Sequence, residues 1–104
     1  MNQEEVIQRI KELGEKLLPE GASLWLYGSR ARGDARPDSD YDLLILLKQD
    51  TVPAEIDAAA YDICLMGYDN GVEINPHIYP KKKWNSWTYS PFYKNVEKDK
   101  RILI

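Results

Sequence analysis

The run Asp40-Tyr-Asp-Leu-Leu-Ile-Leu-Leu47 constrains this chain more than any other segment, because it carries two carboxylates into a strand made almost wholly of Leu and Ile. Side chains alternate across a strand, so Asp40 and Asp42 project from one face and Tyr41 from the other. An acidic side chain entering a buried strand is costly unless it is paired or bound to a metal, and two aligned carboxylates invite a divalent cation. A Gly28-Ser29 pair stands ten residues upstream, directly after Ser23-Leu-Trp-Leu-Tyr27, a second short apolar strand. Gly28-Ser29 turns the chain into a short helical segment whose exposed N–H groups can face phosphate oxygens. The triphosphate end of a nucleotide with Mg²⁺ satisfies both halves of this pattern.

Along the chain the segments alternate helix and strand. Val6, Ile7, Ile10, Leu13 and Leu17 form one apolar helical stripe over residues 3–18, and Pro19-Glu20-Gly21 ends it. That helix is expected to cover a sheet. Strands follow at 23–27 and 41–48. Asp50-Thr-Val-Pro53 opens a second helix over 53–66, where Ile56, Ala59, Ala60 and Ile63 make a narrow face that packs closely. Asp69-Asn-Gly71 marks a turn, and residues 72–79 alternate like a third strand, with Pro76 pointing to an edge or a bulge. A Lys-rich turn at 81–83, a last helix from the Ser90 cap and Pro91 through Lys98, and a short strand at 101–104 complete the expectation.

The third strand supplies a further acidic candidate. Val72, Ile74 and Pro76 share one of its faces, and Glu73, Asn75 and His77 share the other, so Glu73 points the same way as Asp40 and Asp42 if the strands pair side by side. Its plainer reading is a solvent-facing residue on an edge strand. His77 is the single histidine, so no Ser-His-Asp arrangement is built on it, although it offers a contact on the Glu73 face. Trp25 is read as core; Trp84 and Trp87, in a Lys-rich segment, are read as covering the sheet and touching a partner.

Composition narrows the field. The 104 residues carry a net charge of -3, which argues against a protein that grips nucleic acid through a basic surface. Length fits one domain, residues 1–104, with a modest core. The single cysteine rules out an intrachain disulfide and a thiolate zinc cluster, and fits a reducing, cytoplasmic setting. No run approaches membrane-spanning length, and the charged N-terminus has no apolar leader core.

The order of Gly28, Ser29, Arg30, Ala31, Arg32, Gly33 and then Ser39, Asp40, Asp42, Leu43 resembles the signature of the polymerase-beta-type nucleotidyltransferases, above all their minimal bacterial and archaeal members. The resemblance implies an α+β fold, a small mixed β-sheet with helices packed on one face. It implies transfer of a nucleoside monophosphate, most simply AMP from ATP, to an acceptor hydroxyl. Asp40, Asp42 and a third acidic residue, here Glu73, would be catalytic and hold two Mg²⁺ ions, with Mn²⁺ as a substitute; Gly28, Ser29, Arg30, Arg32 and Ser39 would contact the nucleotide. In such sites paired metal ions stabilise both the attacking and the leaving oxygen. The third residue is usually Asp, so the longer Glu73 is a departure. Minimal members often stand beside a small helical HEPN-domain protein, and some act as antitoxins that add AMP to it, which implies a protein acceptor. Two rival classes are a binding module that keeps a relict motif, and a small-molecule nucleotidyltransferase whose acceptor pocket is finished by a second copy.

Overall fold

The computed structural model describes residues 1–104. The elements run α1 (Gln3–Leu17), β1 (Ser23–Tyr27), α2 (Ser29–Arg32), β2 (Tyr41–Leu47), α3 (Ala54–Asp69), β3 (Ile74–Pro80), α4 (Lys81–Asn85), α5 (Pro91–Asp99) and β4 (Arg101–Ile102). Local chemistry sets several boundaries. Asn2 and Glu5 form a reciprocal capping box, Oδ1 of Asn2 accepting from the Glu5 N–H at 2.9 Å and Oε1 of Glu5 accepting from the Asn2 N–H at 3.3 Å. Ser90 caps α5 and Pro91 opens it.

The sheet order is β3-β2-β1-β4. β1 pairs antiparallel with β2 and with β4, while β2 and β3 are parallel, so α3 supplies the crossover that a parallel pair needs. The mixed α+β architecture is the expected one. One face carries Leu24, Leu26, Leu43, Ile45 and Leu47 under Val6, Ile7 and Ile10 of α1 and Ile56, Ala60 and Ile63 of α3.

The expectation of helices on one face holds for these two long helices and needs a correction on the other. Leu44 and Leu46 are covered there by Trp84 of α4 and Val96 of α5, with Trp25, Tyr27, Tyr79, Trp87, Phe92 and Tyr93 around them. Central strand β2 is thus buried on both faces, which is why its sequence is a continuous apolar run. The Lys-rich turn at 81–83 is helical, the first turn of α4, with Trp84 buried against the sheet. Trp84 and Trp87 therefore cover the sheet as expected, and Trp25 lies half-buried in the same cluster.

β3 begins later than expected, at Ile74, and ends at Pro80. It is an edge strand, as Pro76 indicated. The Tyr41 N–H donates to the Glu73 carbonyl at 2.9 Å. By the alternation of a parallel ladder, Glu73, Asn75, His77 and Tyr79 then turn their backbone groups to β2, and Ile74, Pro76, Ile78 and Pro80 turn theirs outward. Both prolines fall where a missing N–H breaks no ladder bond. No helix is long and apolar enough to cross a membrane.

Candidate active site

The site begins where β1 ends. Tyr27 lies opposite Asp42 in the antiparallel register, and Gly28 then turns the chain with φ 74° and ψ -157°, a conformation that favours glycine. A Cβ on Gly28 would stand 2.6 Å from Oδ2 of Asp42. Only a hydrogen there lets the turn and the carboxylate lie against each other. The Gly28 carbonyl accepts from the N–H groups of Ala31 and Arg32 at 3.1 and 3.0 Å, closing the single turn of α2. Ser29 is its first residue, so the Ser29 N–H has no acceptor within the helix and is free for an anion.

Across the sheet corner, Asn75 is the register partner of Asp42, and its Nδ2 donates to Oδ2 of Asp40 at 3.1 Å. Glu73 reaches the same aspartate. The hydrogen bond that its protonated carboxyl donates to Asp40, with the Asp40 charge behind it, holds the Glu73 carboxyl above its ordinary range. The structure therefore brings Gly28, Ser29, Asp40, Asp42 and Glu73 to one corner, and adds Asn75, which the sequence reading placed on the correct face without a role. Only the register, which a sequence does not display, sets Asn75 opposite Asp42.

The carboxylates do not close into a cluster of three metal-ligating side chains. Asp42 turns to Gly28, whereas Asp40 turns to Asn75 and Glu73. The donor set nonetheless fits Mg²⁺. It consists of carboxylate oxygens, the hard ligands that this ion takes. Asp40 and Glu73 lie close enough to hold the Glu73 carboxyl above its ordinary range, a repulsion that a cation relieves.

The other nucleotide-binding candidates are engaged within the protein. Arg30 is 8% exposed. Its Nη2 donates to the carbonyls of Ser39 and Pro37 at 2.8 and 3.2 Å, its Nη1 donates to Oε1 of Gln3 at 3.1 Å, and its guanidinium stands 4.4 Å from the Tyr41 ring centre. It clamps the loop that delivers Asp40. Arg32 pairs with Asp34 at 3.2 Å and with Asp99 at 3.1 Å, tying α2 to the end of α5. The Ser39 hydroxyl accepts from the Arg36 N–H at 2.8 Å and shapes the same loop.

An aromatic group borders the corner. His77 is exposed, on the face of β3 that carries Asn75, with its ring centre 6.3 Å from Tyr27 and 6.2 Å from Phe92. Burial first, then the charge of Asp42 and the nearby Tyr79, push the Tyr27 phenol up to about 12. Tyr27 is a neutral phenol near pH 7 and no base.

The profile of the nucleotidyltransferase domain family matches residues 4–104. The chain belongs to this family. As a nucleotidyltransferase it carries the Gly28-Ser29 turn and the Asp40 and Asp42 pair on the corner described above. No curated protein sequence matches it. Among solved structures, a toxin-antitoxin with AMP-PNP is similar over 100% of this chain and 73% of its own, at 15% identity and TM-score 0.63. A proposed nucleotidyltransferase from Sulfolobus solfataricus is similar over 96% of this chain and 80% of its own, at 19% identity and TM-score 0.61. A mutant of the toxin-antitoxin MntA-HpeT covers 100% of this chain and 73% of its own, at 13% identity and TM-score 0.60. At these identities the likeness is one of fold.

Proposed function

We propose that this nucleotidyltransferase moves AMP from ATP to a hydroxyl on a partner protein in the cytoplasm, with Mg²⁺, or Mn²⁺ in its place, and releases pyrophosphate. The observation that carries the reading is the Gly28 turn, opened by a positive φ and left without a Cβ where Asp42 lies against it. The Ser29 N–H and hydroxyl bind the phosphates. Asp40, Asp42 and Glu73 are the residues that would hold the ions. Bound there, divalent ions neutralise the phosphate charge and polarise the acceptor oxygen. In the transfer, the acceptor oxygen bonds to the α-phosphorus, the bond from that phosphorus to the bridging oxygen of the β-phosphate breaks, and the acceptor proton passes to a Glu73 carboxylate oxygen. Arg30 and Asn75 hold Asp40 in position from the loop and from β3.

A protein acceptor fits the negative net charge, which disfavours nucleic acid. The toxin-antitoxin neighbours support a partner of that kind, in the family's pattern a small helical HEPN-domain toxin. A second reading, an antitoxin that binds nucleotide or partner without transfer, draws on Asp42 lying against Gly28 while Asp40 turns to Asn75 and Glu73. Calorimetry with Mg-AMP-PNP on the parent and on Glu73→Gln tests both. The transfer reading expects both proteins to bind, with AMP transfer lost in the variant alone; equal rates in the two would remove Glu73 from the mechanism.

A further inference from the structure

Helix α3 buries Ile56, Ala59, Ala60, Ile63 and Gly67 against the sheet, yet its opposite side is not uniformly polar. Tyr61, Leu65 and Tyr68 follow one another at helical spacing, so they share a stripe, and they are 65%, 43% and 79% exposed. Ala54 and Ala58 continue that stripe toward the start of the helix, giving it a length of roughly 20 Å. At the other end, Tyr68 borders an apolar hollow of about 570 Å³ that Val72 and Ile74 also line and that Glu73 rims. Single exposed apolar side chains need no explanation; a stripe continuous with an apolar hollow marks a contact surface.

Charge decides the occupant. α3 carries Glu55, Asp57, Asp62 and Asp69 with no Lys, Arg or His, and Glu73 adds to them at the hollow. The facing cations are Arg9 and Lys16 of α1, which share a surface groove with Asp62, Leu65 and Asp69, and Arg9 is already paired with Glu12 at 3.4 Å. The surface stays acidic. A second copy docked stripe to stripe about a two-fold axis would set the acidic row against itself, and a nucleic acid would be repelled.

We infer that the Tyr61, Leu65, Tyr68 stripe and the hollow beside Glu73 form the docking surface for a partner protein presenting an apolar segment flanked by Lys or Arg. This deepens the protein-acceptor reading and rests on it: a segment seated in the hollow ends at Glu73, where the acceptor hydroxyl is needed.

The probe is a short synthetic amphipathic helix of Leu and Lys, with its charge-reversed Leu and Glu counterpart, added to the full chain without nucleotide. Fluorescence anisotropy gives affinity, and amide hydrogen exchange gives the footprint. The Lys peptide is expected to bind with protection gathered between residues 57 and 74. The variant Tyr61→Ser/Leu65→Ser/Tyr68→Ser changes only exposed side chains, keeps every charge, and is expected to weaken binding at least tenfold. Equal binding of the Glu peptide, unchanged affinity of the triple variant, or protection elsewhere would overturn the inference. So would concentration-dependent dimers that protect this face. Because no nucleotide is present, failure here with Mg-AMP-PNP binding retained removes the surface alone, and the converse removes the AMP-transfer reading alone.

Discussion

At the scale of single residues, the corner turns on how little room Gly28 leaves. Gly28→Ala places a Cβ 2.6 Å from Oδ2 of Asp42 and forces a side-chain-bearing residue into a φ of 74°. The backbone strain amounts to about 1–3 kcal/mol. Nucleotide affinity is expected to suffer more than stability, since Asp42 must move, and calorimetry with Mg-AMP-PNP beside thermal melts checks the contrast. Asn75→Ala removes the amide that orients Asp40 while leaving the carboxylates intact. Loss of such an orienting partner typically lowers metal affinity or activity about 10- to 100-fold, so Mn²⁺ titration of the nucleotide complex should weaken by that order with the fold unchanged. Glu73 sets a pH dependence. Its folded carboxyl holds a proton more tightly than the unfolded one, so the contribution is full below the ordinary Glu range and is lost as pH rises through the folded value. Melts of the metal-free parent should lose this increment between acid and neutral pH, and Glu73→Gln, which donates without titrating, should flatten that difference.

At the scale of elements, β2 and β3 show what a sequence does and does not disclose. The Leu43–Leu47 run announces a buried strand, and period-two alternation groups Asp40 with Asp42 on one strand and Glu73 with Asn75 on the other, on the same face of the sheet. What alternation leaves open is which residue of β3 lies opposite Asp42, because the register is fixed by α3 and the turn at Gly71 rather than by β3 itself. The early end assigned to α3 has a similar cause: Gly67 looks like a breaker, but its missing side chain lets Ile74 pack on the helix, with Cδ1 only 2.6 Å from where a Cβ would be. The inward turn of Arg30 was likewise hidden, since its acceptors are carbonyls of the loop that follows. The edge of β3 carries its own prediction. Pro76→Val supplies an outward N–H at an open edge, and light scattering should then detect more self-association than in the parent. On the other face, Trp84 is fully buried with an unpartnered Nε1. Trp84→Ala should cost about 3–5 kcal/mol in urea unfolding, and Trp84→Phe less than half of that, because no hydrogen bond is lost.

At the scale of the whole molecule, a sheet four strands wide carries two long helices on one face and an aromatic layer on the other, and one corner gathers Gly28, Ser29, Asp40, Asp42, Glu73 and Asn75. The motif was legible because it is local: glycine, serine and the paired aspartates fall within one stretch joining two adjacent strands. The aromatic layer was only half legible, since a Lys-rich stretch hides the burial of Trp84, and the α3 stripe was not legible, since exposure is a property of the folded surface. AMP transfer at the Asp40 and Asp42 corner is read out by the passage of label from ATP to a partner protein. With Mg²⁺ and a HEPN-type protein, the proposed acceptor, label at the α-phosphate should become protein-bound while label at the γ-phosphate leaves as pyrophosphate, and Asp42→Asn should abolish both. Full transfer by a folded Asp42→Asn protein, or no transfer by the parent to that acceptor under Mg²⁺ or Mn²⁺, would contradict the account.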